Sequence, residues 1–282
     1  IREKKTLVGI FKKATNESNP IEAVIHFAGL KSVNESIEKP LIYWDTNVFG
    51  TINLLEVMKE YNCKKIVFSS SATIYKHKIN ELITEESELG PINPYGSTKL
   101  AIENMLGDLT KDKNSNWKII NLRYFNPVGA HSSGLLGEKP KGIPNNLFPI
   151  LLKVASGEYE ELSIFGNDWP TYDGTCVRDY IHVMDLAEAH IAALDFLLES
   201  DSVYLNLNVG TGCGSSVLEV VETFKIINQC DFKCVFKARR KGDAPYVVAN
   251  NNLAISKLKW IPKRNLEDMC KDAWRCKLRK NH

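Results

Sequence analysis

With 282 residues, 44% of them hydrophobic, the chain is long enough for one large domain or for one domain with a smaller companion. Lys and Arg number 36 against 34 Asp and Glu, a formal net charge of +2 that gives no footprint for nucleic acid or another polyanion. Seven cysteines form no Cys-x-x-Cys pair and no zinc-finger spacing with histidine, so they read as reduced thiols with no metal site. No apolar run approaches the roughly 18 residues of a membrane span and no signal pattern opens the chain, so the expected address is cytoplasmic, with no membrane partner.

In chain order, Leu7, Val8, Ile10, Phe11 and Ala14 share one helical face before Asn16, Ser18, Asn19 and Pro20 end the run. "EAVIHFAG", "KKIVFSSSAT" and "WKIINLRYFNP" are short apolar runs that each read as a buried parallel strand. Amphipathic helices over 47–61 and 95–110 lie between them. The alternation predicts an α/β, doubly wound, Rossmann-type parallel sheet, whose ligands sit beyond the carboxyl ends of the strands. Those ends are Phe27-Ala28-Gly29, Ser69-Ser70-Ser71 and Tyr124-Phe125-Asn126. After Pro127 glycine and proline become dense; a helix over 146–156, a loop "FGNDWPTYDGTCVRDY" and a helix over 184–198 follow. "YLNLNVG" is one more strand, expected to rejoin the first sheet.

Within "NPYGSTK", Tyr95 and Lys99 are four positions apart, on one helical face, and Pro94 suits the helix start. "SSSAT" offers a hydroxyl at a strand end facing the same crevice. A free tyrosine with a pKa near 10 is only about 0.1% phenolate at pH 7, and poising it near neutrality asks for about 4 kcal/mol. Lys99 and an oxidised nicotinamide, both cationic, could supply that, which suits a Ser, Tyr, Lys set to proton removal coupled to hydride transfer. A lone Tyr-x-x-x-Lys is common by chance. His26 and His182 lie in apolar strand-like stretches and read as structural histidines. The runs Lys12-Lys13, Lys64-Lys65 and Arg239-Arg240-Lys241 read first as solvated faces.

"SSSATIY", "NPYGSTK", "LRYFNPVGAH", "GIPNNL", "IFGNDWPTYDGTCVRDYIHVMDLAEAH" and "ARRKGDAP", six motifs in order over nearly the whole chain, resemble the UDP-galactose 4-epimerases of the extended short-chain dehydrogenase/reductase superfamily. The resemblance implies Ser71 as the catalytic hydroxyl, Tyr95 as the proton carrier, and Lys99 as the residue that bonds the nicotinamide ribose and lowers the tyrosine pKa. It implies NAD contacts from Phe27, Ala28, Gly29, Lys31, Asn47, Ser69 and Tyr124 in addition to Tyr95 and Lys99. It places the sugar nucleotide, UDP-glucose or UDP-galactose, on Lys31, Ser71, Asn126, Asn145, Asn146, Leu147, Phe165, Arg178, Tyr180, Arg240, Asp243 and Val247. The guanidinium groups of Arg178 and Arg240 would hold the diphosphate, which gives the last basic run a partner.

The implied domains are an NAD-binding part over 1–127, with 182–210 packing back onto it, and a nucleotide-sugar part over 128–282. Helices 47–61 and 95–110 correspond to the family's dimer-forming pair, so a homodimer is expected. Cys176 and Lys76 stand where the family usually has glycine, and Val247 at a position whose bulk is associated with admitting or excluding N-acetylated sugars. Ala72 and Thr73 after Ser71 are not the acid pair of a sugar 4,6-dehydratase, which disfavours that neighbouring reaction. The family's opening strand, Gly-x-x-Gly-x-x-Gly turn and ribose-reading acid are not in this sequence, which begins at Ile1. The expectation is an N-terminally truncated epimerase whose 282 residues alone retain NAD poorly and are inactive, the alternatives being a short, inactive product that binds nucleotide sugar or another NAD-dependent nucleotide-sugar-modifying enzyme.

Overall fold

The structure, a computed structural model, describes residues 1–76, 81–112, 114–140, 142, 144–240 and 242–279; Lys241 of the basic run lies outside them. In chain order the elements are α1 (Lys4–Asn16), β1 (Val24–His26), α2 (Val33–Glu38), α3 (Pro40–Tyr43), a π-helical turn (Trp44–Phe49), α4 (Gly50–Glu60), β2 (Lys65–Ser69), a 3₁₀ turn (Ala72–Ile74), α5 (Pro94–Thr110) and β3 (Lys118–Tyr124). They continue with β4 (Asn126–Val128), α6 (Leu147–Ala155), β5 (Glu161–Phe165), β6 (Val177–His182), α7 (Val183–Glu199), β7 (Tyr204–Val209), β8 (Gly214–Ser216), α8 (Val217–Asn228), β9 (Lys233–Lys237), β10 (Tyr246–Val247), α9 (Asn252–Leu258) and α10 (Leu266–Arg279). The chain divides into two compact units. The first holds the described residues of Ile1–Lys76, Glu85–Tyr124 and His190–Asn208; the second holds those of His77–Thr84, Phe125–Ala189 and Val209–His282.

The first unit is a Rossmann-type α/β layer with strand order β1-β2-β3-β7, so "YLNLNVG" does rejoin the sheet. β1, β2 and β3 are parallel, in the register Ile25 to Val67 and Val67 to Ile120. Their apolar runs are continuous because both faces are covered. Ile66, Phe68 and Ile119 pack with Leu54, Val57 and Met58 of α4, Ile102 and Leu106 of α5 and Phe11 of α1. The helix expected over 47–61 starts earlier, at Pro40, and widens into the π turn before α4. The polar stretch Asp45-Thr46-Asn47 breaks the apolar 3.6-residue period there, which is why periodicity alone placed the start too late.

One buried polar network fastens α5 to the sheet. Arg123 of β3 donates from Nε and Nη2 to the Glu103 carboxylate of α5, the shortest contact being 2.6 Å, and both side chains are only 3% exposed. Ser70 donates to the same carboxylate, and Arg123 Nη1 donates to the Tyr75 hydroxyl at 2.8 Å and the Glu85 carbonyl at 3.2 Å. Tyr75 in turn donates to Asn208 Oδ1 at 2.7 Å. Burial works against the Arg123 cation, but the Glu103 carboxylate outweighs it and raises the guanidinium pKa.

In the second unit β6 is flanked by β10 and β4, both parallel to it, and pairs with β8 in antiparallel fashion; β5 and β9 form a separate parallel pair. Phe148 and Leu151 of α6, Val220 and Phe224 of α8 and Met269 and Ala273 of α10 form its core. Asp179 of β6, fully buried, accepts from the backbone of Thr211, Gly212 and Ala249; burial pushes its carboxyl up to about 6 while these donors pull it back.

Replacing one member of the ion pair strands the other charge. Arg123→Met is expected to cost about 3 to 5 kcal/mol in urea unfolding followed by circular dichroism, and Arg123→Met with Glu103→Met should recover most of that loss.

Candidate active site

α5 begins where the sequence tells it to. Asn93 caps it by accepting from the Gly96 amide at 2.9 Å, and Pro94 occupies the first turn. Gly96 lets this end approach the 3₁₀ turn: a Cβ there would lie 2.6 Å from the Thr73 carbonyl oxygen. The close approach brings Tyr95 to Ser71, whose hydroxyl hydrogen-bonds the phenol and also accepts from the Thr73 amide at 3.2 Å and hydroxyl at 3.0 Å. One turn along, Lys99 donates from Nζ to the Ser69 carbonyl at 2.7 Å and lies 5.8 Å from the Tyr95 ring centroid. Ser71, Tyr95 and Lys99 are all buried.

The electrostatics depart from the expectation that Lys99 lowers the tyrosine pKa. Burial raises the Tyr95 phenol above its ordinary value, Tyr124 raises it further, and the Ser71 hydrogen bond only partly offsets them. Lys99 is held by the Ser69 carbonyl, and burial lowers it to about 8 against the pull of Glu103. Desolvation disfavours both charged forms, and it is the largest cause at each residue.

Phe27, Ala28 and Gly29 follow β1 and are exposed, Phe27 by 58%; Lys31 is exposed too. Asn47, inside the π turn, is 1% exposed and shapes this loop. It accepts from the Leu30 amide at 2.7 Å and donates to the Leu30 carbonyl and to Thr98 of α5, both at 3.1 Å. A Cβ on Gly29 would meet Asn47 Oδ1 at 3.0 Å, so glycine lets the loop lie flat on the amide. Ser69 is fully buried, and its hydroxyl meets His190 of α7 at 3.1 Å and bonds the Tyr124 phenol. His26 packs between Phe68 and Thr51, 2.8 Å from the Thr51 hydroxyl, as a structural histidine would.

The second unit gathers most of the other named residues. Arg178 of β6 donates to the Val177 and Ala244 carbonyls at 2.9 and 2.7 Å and lies 3.9 Å from Asp243. Val247 pairs with Arg178, and Asn126 with Tyr180, across adjacent parallel strands. Tyr180 is a core residue, its ring 5.9 Å from Phe148, and burial raises its phenol. The Arg240 guanidinium stacks over Phe165 at 4.2 Å, and Arg239 over Trp169, also at 4.2 Å, while donating to Asp168 at 2.8 Å. Gly166, at φ +86°, is needed because a Cβ would lie 2.3 Å from Trp169 Nε1. Asn145 and Asn146 are exposed and lead into α6, which Leu147 opens. Cys176 is buried, its thiol pushed up by that burial.

Three functional supports escaped sequence reasoning. Glu103 lies on the same helical stripe as Tyr95 and Lys99 and could have been suspected; its partner Arg123 and His190 come from distant segments and carry no local signal. Among the described residues no cluster of three His, Cys, Asp or Glu could hold a metal, and no helix is long and apolar enough to cross a membrane.

A flat exposed ring at the β1 end, a glycine cradle on Asn47, and a buried ammonium and phenol side by side fit the nicotinamide and ribose of NAD. Comparison with known proteins agrees. The NAD dependent epimerase/dehydratase family matches residues 10–210. UDP-glucose 4-epimerase 1 of Oryza sativa subsp. japonica is 52% identical over 276 residues, covering 97% of this chain and 76% of the relative. UDP-glucose 4-epimerase of Bacillus subtilis (strain 168) is 52% identical over 257 residues, 91% of this chain and 75% of that one. Among solved structures, UDP-glucose 4-epimerase of Stenotrophomonas maltophila, with bound NAD and formylated UDP-arabinopyranose, superposes with a TM-score of 0.94 at 41% identity, over 99% of this chain and 81% of that one. The Bifidobacterium longum enzyme in complex with NAD+ and UDP gives 0.90 at 44% identity, over 99% and 82%. The chain belongs to the NAD-dependent epimerase/dehydratase family and, within it, to the UDP-glucose 4-epimerases.

The neutral burial of His26 sets a pH dependence. Burial first, then the Lys99 charge, lowers its pKa to about 3, so below about pH 6.5 the unfolded chain binds a proton that the folded one refuses. Stability should fall with acidification by about 1.4 kcal/mol per pH unit through that window. Urea midpoints between pH 7 and pH 5 should drop more steeply for the parent than for His26→Asn.

Proposed function

We propose that this protein interconverts UDP-galactose and UDP-glucose at the sugar C4, with NAD as its resident cofactor. The observation that carries the reading is the Ser71, Tyr95 and Lys99 set, buried together where α5 begins against the end of β2.

NAD, when bound, supplies the acceptor and then the donor of the hydride at C4. Tyr95 removes the proton from the 4-hydroxyl and later returns it. Because burial opposes the phenolate, Tyr95 becomes a base only when cationic charge is brought to it, so proton removal is tied to an occupied, oxidised site. Ser71, already bonded to the phenol, holds the sugar 4-oxygen in line with it. Lys99 keeps its charge beside the ribose. Arg178 and Arg240 take the diphosphate, Asp243 the uridine ribose and Phe165 the base, with Tyr180 and Val247 of β6 and β10 assigned to the same substrate set. Asn126, Asn145, Asn146 and Leu147 take the sugar side. Holding the nucleotide firmly lets the 4-keto sugar turn over and present its other face.

The family's dimer is part of the same proposal. Leu41 and Phe49, 81% and 52% exposed along the α3 to α4 run, are the apolar surface a second copy would cover. A cytoplasmic address goes with it.

The decisive experiment supplies UDP-galactose and looks for UDP-glucose, with and without added NAD. Absence of product with NAD shown to be bound rejects the reading. Tyr95→Phe should lower kcat by about 10² to 10⁴ while leaving UDP affinity intact, as measured by titration calorimetry. Phe49→Glu should shift sedimentation toward the monomer.

A further inference from the structure

Ser69 is used on every polar atom that faces the site. Its carbonyl holds Lys99 Nζ at 2.7 Å, and its hydroxyl bridges His190 Nε2, at 3.1 Å, and the Tyr124 phenol. His190 arrives from α7, 121 positions further along the chain, and is 2% exposed. Its ring lies 4.6 Å from the Phe27 ring, tilted by 37°, and 6.2 Å from that of Tyr124. The imidazole edge thus meets the residue that fixes Lys99, and its face supports an aromatic ring that is otherwise 58% exposed. His26 and His182, the other buried histidines among the described residues, do neither: His26 bonds Thr51, and His182 accepts from the Met184 amide.

We propose that His190 is a positioning residue of the cofactor site: by holding the Ser69 hydroxyl and backing the Phe27 ring, it pre-sets Phe27, Tyr124 and Lys99 for the nicotinamide half of NAD. The inference rests on reading the first unit as the NAD site. An unsupported ring at a strand end would sample several rotamers, and a ligand would have to select one; a buried ring behind it removes that cost before binding. The hydroxyl of Ser69, fixed from one side by His190, in turn fixes the phenol of Tyr124 from the other.

His190→Phe keeps a ring behind Phe27 and loses the bond to Ser69; His190→Gln keeps a hydrogen-bonding group and loses the ring. In the full chain, each is expected to weaken NAD binding, read by titration calorimetry, by about tenfold. UDP binding, which depends on residues of the second unit, should stay within about twofold of the parent, and the thermal midpoint should not fall in step with NAD affinity. With NAD saturating, His190→Gln should retain more of the parent kcat than His190→Phe, because Ser69 still holds a partner. NAD affinity unchanged in both variants overturns the proposal, as does a parallel loss of UDP and NAD binding, which marks a merely structural role. A parent chain that binds UDP but takes up no NAD overturns instead the reading of the first unit beneath it.

Discussion

The buried ion pair between Glu103 and Arg123 is the constraint on which the catalytic geometry depends. Tyr95, Lys99 and Glu103 recur every four residues along one stripe of α5, so fixing the last of them fixes the helix rotation that aims the first two. The carboxylate is gripped by Arg123 from two nitrogens and by Ser70, and the guanidinium is shared with Tyr75 and the Glu85 backbone. A charge at this depth is tolerated only when every partner is present. The helix therefore has one docked position rather than a range of nearly equivalent ones, and the contact between Tyr95 and Ser71 inherits that definition.

Much of the fold was legible because its causes are local. Continuous apolar runs ending in small residues gave the three parallel strands, and Pro94 gave the start of α5. Tyr95 and Lys99 could be paired from spacing alone. Other parts were not legible, for definite reasons. Ser69 acts through its carbonyl, which every residue has, and Arg123 and His190 act across long stretches of intervening chain. Arg239 and Arg240 look like a solvated basic run, yet each stacks on an aromatic ring some seventy positions earlier. The nucleotide-sugar contacts proposed around Asn145 rest on family resemblance, since nothing in the chemistry of "PNNL" by itself points to a ligand.

The same burial that organises the site works against its reactive charge states. Tyr95 and Lys99 are both pushed toward their neutral forms, and the hydrogen bonds of Ser71 and the field of Glu103 recover only part of this. In the proposed reaction, such a site would gain its base only as a ligand brings charge of its own. That suits a reaction whose oxidised intermediate must not meet solvent or a stray proton donor.

The π turn at Trp44–Phe49 imposes a constraint of a different kind. Its hydrogen bonds reach one residue further than those of α4, so the turn carries an extra residue relative to an α-helix of the same number of turns, and Asn47 sits within it. Losing any one residue between positions 44 and 49 would let the segment close to α-helix, with the flanking turns still in phase but the side chains inside the turn displaced. Asn47 would then swing off the Leu30 backbone and Thr98 even if its identity were untouched. What this segment has to conserve is its count of residues as much as their chemistry, so length variation here would be as damaging as replacement of Asn47.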